Sequence, residues 1–167
     1  MRKAIIVIFT IFIILGFTGC DAMLEGFFPE FGDEATATLE IYADVSNLRA
    51  NPANLTVPLY IIIEEQAPGT KILRLEFKVG DDNIQKTVTV PRRDYKVWAV
   101  ADKITDGDID AGDYSNYAYY YDTKADKTLD ICRLSDPDVG DNIFVDITLT
   151  EDTNYVYYNR TDIPSSN

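Results

Sequence analysis

The 167-residue sequence contains no histidine, two cysteines, one tryptophan, and 15 basic residues against 28 acidic ones. The absence of histidine removes the most common general base and the most common side-chain ligand of transition metals. The shortage of basic residues leaves a formal net charge of −13 at pH 7, which repels nucleic acid and favours cations. The composition therefore argues against a nucleic-acid partner.

Catalytic groupings are also missing from the sequence. Without histidine there is no Ser–His, Cys–His or metal–His arrangement. Carboxylates are abundant, but no pair stands in a context that would raise one pKa and lower the other, as acid–base catalysis by two carboxylates requires. We therefore expect a chain that is not an enzyme.

The sequence has no apolar run long enough to cross a membrane comfortably. The run from Ala4 to Phe17 spans about fourteen residues, whereas a membrane-crossing helix needs roughly twenty. It follows the basic pair Arg2–Lys3 and precedes Thr18-Gly19-Cys20, which is typical of a secretory signal with small residues at its cleavage site. The cysteine directly after that site resembles the lipobox of bacterial lipoproteins. The alternative is an ordinary signal peptide followed by a chance cysteine.

The lipobox resemblance implies that the thiol of Cys20 receives a diacylglycerol and that Cys20 becomes the first residue of the mature chain. It implies a location in the bacterial cell envelope, periplasmic or surface-exposed, with the membrane as a partner through the lipid. Cys132 then has no cysteine partner, and we expect it to be a small core residue. The predicted divisions are a signal peptide at 1–19, a lipidated tether at 20–34, a folded domain at 35–158 and a frayed tail at 159–167.

Alternation with a period of two dominates the rest of the chain. In the clearest strand, predicted at 73–79, Leu73, Leu75 and Phe77 alternate with Arg74 and Glu76. Further strands are predicted at 38–45, 59–63, 84–90, 95–101, 117–121, 129–134, 143–149 and 155–158. Many short strands with turn residues between them, and no helical period beyond the signal, predict an all-β fold. We expect a single antiparallel β-sandwich of about seven to nine strands after an N-terminal signal helix and a short tether.

One stretch carries a possible metal chemistry, because five carboxylates fall within twelve residues. Laid on the twelve-position loop of an EF-hand, Gly107 falls at position 6, where a sharp turn is needed, and Ile109 falls at the apolar position 8. Position 3 is Ile104, which offers no side-chain oxygen, and the flanking helices of an EF-hand are missing. The candidate metal ligands are Asp102, Asp106, Asp108, Asp110 and Asp113.

Electrostatics favours an ion in this loop. Five like charges repel each other at close range, and Ca²⁺, which takes six to eight oxygen ligands, would order them. The alternative is a solvated acidic turn whose Asp and Gly residues serve turn geometry. A second acidic turn at Asp136, Asp138 and Asp141 would add oxygens only if the two loops meet.

The stretch from Val90 to Asp113 resembles a pattern found in exported bacterial immunoglobulin-like or transthyretin-like β-sandwich domains. The pattern is a Tyr-x-Val strand, here Tyr95-Lys-Val97, followed by an Asp and an Asp-Gly loop that ends in acidic residues. The resemblance implies a sandwich fold and a hydroxyl of Tyr95 that ties down a neighbouring turn. It implies no particular function, because such domains serve many roles.

Aromatic residues crowd the segment after the acidic loop. Alternation along a strand at 117–121 would place Tyr117, Tyr119 and Tyr121 on one face, with Trp98 on a neighbouring strand. Such a row could stack on sugar rings, or it could simply fill and edge the core. The first functional hypothesis is a membrane-anchored, non-catalytic binding or structural module of the envelope with a calcium-ordered loop. The alternative is a carbohydrate-binding module that uses the Tyr/Trp face, with a glycan or an envelope protein as partner.

Overall fold

The structure, a computed structural model, describes residues 34–66, 71–122, 132–154 and 162–167. The predicted signal peptide, Cys20, the tether up to residue 33 and the strand predicted at 155–158 lie outside the described residues. The elements are β1 (Thr36–Asp44), α1 (Ser46–Arg49), a 3-10 turn (Pro52–Asn54), β2 (Pro58–Glu65), β3 (Ile72–Lys78), β4 (Gln85–Pro91), β5 (Asp94–Ala101), β6 (Tyr114–Tyr117), β7 (Tyr119–Asp122), β8 (Cys132–Arg133) and β9 (Asn142–Thr148).

The strands form two sheets, which confirms the all-β sandwich. Sheet I has the strand order β4-β1-β9-β7, and sheet II has the order β3-β2-β5-β6. The short β8 also belongs to sheet II and pairs with the start of β5, where Tyr95 lies opposite Cys132. Cys132 is buried there, as expected of a small core residue.

One pair departs from the antiparallel arrangement that the sequence predicts. β1 and β9 run parallel, with Leu39 opposite Ile143. A hairpin cannot join parallel neighbours, and the chain between these two strands passes through sheet II. Local alternation carries no information on the direction of such a distant partner.

The main core is built from the alternate residues that the period-two pattern marks as inward. Leu39 and Ile41 of β1, Ile61 of β2 and Val97 of β5 are completely buried. Charged and polar residues occupy the intervening positions of β1 and β3. Burial of one face per strand therefore accounts for the register of both sheets.

Sheet II is buried on its second face as well. Ile62, Trp98 and Val100 point away from the main core, and they form a second hydrophobic cluster with Ile109 and Ile163. Ile62 makes β2 apolar on both faces, in keeping with its central position between β3 and β5. Ile109 of the acidic loop and Ile163 thus cover part of the outer face of sheet II.

The sequence predicts a frayed tail from residue 159, whereas the described residues 162–167 make specific contacts. Ile163 is 8 % exposed and its backbone N–H donates to the carbonyl of Gly107 (3.0 Å). Asp162 forms an isolated antiparallel bridge with Asp108. The apolar side chain of Ile163 orders the segment, because it completes the second cluster.

Candidate functional site

The acidic loop, residues 102–113, connects β5 to β6, which are antiparallel neighbours. Because Ala101 pairs with Tyr114, the flanking residues Asp102 and Asp113 leave the ladder opposite each other. Both are almost completely buried, at 1 % and 2 % exposure. The backbone N–H of Asp102 also donates to the carbonyl of Pro58 on β2 (3.0 Å). The strand pairing therefore sets the position of both carboxylates.

The two buried carboxylates bind backbone donors of their own loop. Asp102 accepts hydrogen bonds from the N–H groups of Thr105 (2.5 Å) and Gly107 (3.2 Å). Asp113 accepts from the N–H groups of Lys103 (2.8 Å) and Asp110 (3.1 Å). Four backbone donors are thus paired with the four oxygens of two side chains. Hydrogen bonds to a charged acceptor are the stronger kind, so this arrangement fixes the course of the loop.

The outer carboxylates make smaller turns. Asp106 accepts a hydrogen bond from the N–H of Asp108 (3.0 Å), and Asp110 accepts one from the N–H of Gly112 (2.6 Å). Each bond spans two residues, which is the Asx-turn geometry that Asp favours. Asp106 and Asp108 are exposed residues.

Burial raises the pKa of Asp113 above its ordinary value. The N–H groups of Asp110 and Lys103 lower that pKa, and the negative charges of Asp110 and Asp102 raise it again. Burial is the main cause of the raised pKa, because the Asp113 carboxyl has little access to water.

The contacts of the loop bear directly on the calcium prediction. In the described residues, no group of three or more His, Cys, Asp or Glu side chains is placed to hold a metal ion. The oxygens of Asp102 and Asp113 face N–H donors, and Ile104, at EF-hand position 3, is 56 % exposed. Ile109 does pack inward, as the apolar position 8 requires. Calcium binding stays a prediction, and any ion would have to use the outer carboxylates or displace backbone donors.

The second acidic turn lies at the other end of β5. The side chain of Asp94, the first residue of β5, accepts a hydrogen bond from the hydroxyl of Ser135, whereas Asp102 follows the last residue. Eight extended residues separate the two ends by roughly 25 Å. Asp136, Asp138 and Asp141 therefore do not join the acidic loop.

The aromatic face that alternation predicts does not form as one surface. Tyr117 ends β6 in sheet II, and Tyr119 begins β7 in sheet I, because the chain crosses between the sheets at the buried Ala118. Trp98 is 1 % exposed inside the second cluster and is not available for stacking on a ligand. Tyr121 lies in β7, but its side chain is outside the described residues.

Two other tyrosines have defined roles in the structure. The hydroxyl of Tyr120 accepts a hydrogen bond from the buried N–H of Val97 (2.7 Å), so it joins β7 of sheet I to β5 of sheet II. This bond joins two strands, whereas the family resemblance assigns to Tyr95 a hydroxyl that ties down a neighbouring turn. Tyr95 itself is buried. Burial is the main cause that raises the pKa of its hydroxyl, and the negative charge of Glu65 raises that pKa further.

The comparisons with known proteins were made against family models, curated proteins and solved structures. None of the three gave a significant match. The lipobox and sandwich-family resemblances therefore rest on their own residues. In the described residues, no helix combines the length and the apolar character that a membrane span requires.

The turn between β4 and β5 contains a contact that sequence reasoning missed. Arg93 donates to Glu34 through Nε and Nη2 (both 2.9 Å) and to the buried Glu65 through Nη1 (2.7 Å). The N–H of the neighbouring Arg92 donates to the carbonyl of Ala35 (2.9 Å). The beginning of the described domain is therefore held by the β4–β5 turn.

Arg92 makes a second set of contacts from the same turn. Its guanidinium pairs with Asp141 (2.5 Å) and donates to the carbonyls of Val139 (2.7 Å) and Asp136 (3.2 Å). Two adjacent arginines thus hold two different segments against the sandwich. The only signal in the sequence was an Arg-Arg pair in a turn, which does not identify acceptors that are far away along the chain.

Proposed function

We propose that this chain is a lipid-anchored protein of the bacterial envelope whose β-sandwich acts as a non-catalytic binding or structural module. The observation that carries the proposal is the order of residues in the first part of the sequence: Arg2-Lys3, a short apolar run, and Thr18-Gly19-Cys20. A lipid on Cys20 would hold the sandwich at a membrane from one end.

The contacts of the buried carboxylates support a structural module. Asp102 and Asp113 each bind two backbone N–H groups, and Glu65 is paired with Arg93. Each of these three carboxylates is thus hydrogen-bonded to a donor within the domain. These contacts give the buried carboxylates a stabilising role within the fold.

The anchor is tested by membrane fractionation. Cys20→Ser removes the thiol that would carry the lipid, and we expect the protein to move from the membrane fraction to the soluble fraction. Cys132→Ser is the matched control, since it changes the other cysteine, which is buried in β8, and should leave partitioning unchanged. Equal membrane partitioning of Cys20→Ser and the unsubstituted chain would refute the anchor.

Calcium is the ion that the proposed module would bind, through the outer carboxylates of the acidic loop. We expect calcium to raise the melting temperature of the domain, and the double change Asp106→Asn with Asp110→Asn to abolish that rise. The matched control is Asp136→Asn with Asp138→Asn in the other acidic turn. A rise that survives in the first double variant would place the ion elsewhere, and no rise in the unsubstituted chain would remove calcium from the proposal.

A carbohydrate-binding module is the second candidate. The observation that favours it lies on sheet I and not on the aromatic face predicted from the sequence. Tyr42, Phe144 and Tyr119 are 47 %, 43 % and 49 % exposed, and they lie on three adjacent strands of sheet I. Asp146 lies opposite both Tyr42 and Tyr119, so a carboxylate stands between two exposed rings. Stacking rings with a hydrogen-bond acceptor between them suit a neutral oligosaccharide.

Calorimetric titration with a neutral oligosaccharide such as cellohexaose or chitohexaose separates the two candidates. Binding that is lost in Tyr119→Ala and retained in Tyr117→Ala would support the carbohydrate-binding module. A calcium response without any saccharide heat would support the first candidate alone.

A further inference from the structure

The outer edge of β3 is closed by side chains. In the order of the described strands, β3 lies at the end of sheet II, and such an edge offers backbone groups to a further strand. Ile72 donates its N–H to Oδ1 of Asn167 (2.7 Å), and Arg74 donates its N–H to Oγ of Ser166 (2.8 Å). The N–H of Asn167 also donates to the carbonyl of Ile72 (3.1 Å). Residues 166 and 167 therefore occupy the first part of this edge.

The closed positions follow the alternation of an antiparallel strand. The N–H groups of Ile72 and Arg74 point away from β2, so those of Glu76 and Lys78 do so as well. Lys78 donates its N–H to Oδ2 of Asp81 (2.8 Å). Three of the four outward donors of β3 are thus bonded to side chains rather than to a neighbouring strand.

The segment that closes the edge is held at its other end. Ile163 is buried in the second cluster, and its N–H is bonded to Gly107 of the acidic loop. Residues 162–167 therefore form a strap that begins at the acidic loop and ends on β3. Only the last two residues of this strap bind the edge directly.

The sequence of β3 is complementary to itself. If two copies pair antiparallel with Leu75 opposite Leu75, Arg74 of each copy lies opposite Glu76 of the other. The backbone N–H and C=O groups of both residues point away from β2, so the two strands can exchange the N–H···O bonds of a regular ladder. Two opposite-charge pairs and two Leu73–Phe77 pairs then face each other, and cross-strand pairs of these kinds are favourable.

We propose that the outer edge of β3 is a self-association edge, that the 162–167 strap keeps it closed in the monomer, and that removal of residues 166 and 167 lets two copies pair through β3. The partner is a second copy of this chain, because antiparallel pairing of two β3 strands places Arg74 of each copy opposite Glu76 of the other. Ile163 is retained in this change, so the second cluster stays covered. The proposal is independent of the lipid on Cys20.

Sedimentation analysis of the purified full chain tests the proposal. We expect the full chain, with Cys20→Ser and in mild detergent, to be a monomer at micromolar concentration. Deletion of residues 166–167 removes three hydrogen bonds that compete for this edge, and it should lower the dissociation constant of the dimer by about tenfold or more. The variant Ser166→Ala with Asn167→Ala keeps the chain length and should act in the same direction. Ser165→Ala, at an exposed neighbouring residue, is the matched control and should stay monomeric.

Charge exchange on the shortened chain identifies the edge. Glu76→Arg should abolish the dimer, because it places like charges opposite each other, and Arg74→Glu added to Glu76→Arg should restore it. The emission of Trp98 reports in each case that the second cluster is intact. A shortened chain and an alanine variant that both stay monomeric would overturn the proposal. Association that is insensitive to Glu76→Arg would overturn it too.

Discussion

Ile109 links the acidic loop to the outer face of sheet II, and its truncation measures that link. The side chain is 3 % exposed and packs with Ile62, Trp98, Val100 and Ile163. Ile109→Ala removes three carbon groups, and at about 0.8 kcal/mol for each buried group the loss is about 2.4 kcal/mol before any cavity cost. Because a loop can relax around the cavity, we expect about 2–3 kcal/mol, near the lower end for buried Ile→Ala.

Urea unfolding followed by tryptophan fluorescence is the assay. Trp98 is the only tryptophan and lies in the same cluster, so its emission reports both global unfolding and local loosening. With a slope of about 2 kcal/mol per molar urea, the midpoint should fall by about 1–1.5 M. The native emission should also shift to longer wavelength, because water gains access to the indole.

The acidic loop contains its own control. Ile104 is 56 % exposed, and Ile104→Ala makes the same chemical change without removing a buried side chain. Its effect should stay within about 0.5 kcal/mol. Equal effects of the two substitutions would refute the second cluster as a source of stability.

Three further outcomes follow from single contacts. Tyr120→Phe leaves a buried backbone N–H without its hydroxyl acceptor and should cost about 1–3 kcal/mol in urea unfolding, whereas Tyr119→Phe at an exposed ring should cost almost nothing. The side-chain hydrogen bond from Arg93 lowers the pKa of Glu34, so Arg93→Ala should raise that pKa in an NMR carboxyl titration; an unchanged value would contradict the ion pair. Burial raises the pKa of Asp113, so the carboxyl binds a proton more tightly in the native state than in the unfolded chain. The free energy of unfolding should therefore fall as pH rises from the ordinary Asp pKa of 3.8 through the raised pKa. An Asp113→Asn variant with the same pH dependence of stability as the unsubstituted chain would count against this prediction.

The strands were predictable because each buries one face and so leaves a period of two in the sequence. β3 was predicted at 73–79 and lies at Ile72–Lys78, and β5 was predicted at 95–101 and lies at Asp94–Ala101. The split of the predicted 117–121 strand was not predictable. Ala118 is apolar like its strand neighbours, and only the distant partners of β6 and β7 show that the chain changes sheets there.

The candidate site was predictable in position but not in contacts. Five Asp residues within twelve mark a loop, and turn propensity predicts that some of them bind backbone N–H groups. Which of them are buried depends on the pairing of β5 with β6, which brings Asp102 and Asp113 together. The burial of Trp98 depends on Ile163, 65 positions later in the sequence, and no local pattern reports that contact.

Mass spectrometry of the mature amino terminus tests the central claim of a lipid-anchored module most directly. The protein is isolated from the membrane fraction of a bacterial host that carries out lipoprotein processing, and its N-terminal peptide is sequenced. The account predicts a peptide that begins at Cys20 and carries a diacylglycerol on its thiol. A peptide that begins at Met1, or one that begins at Cys20 without a lipid, would contradict it.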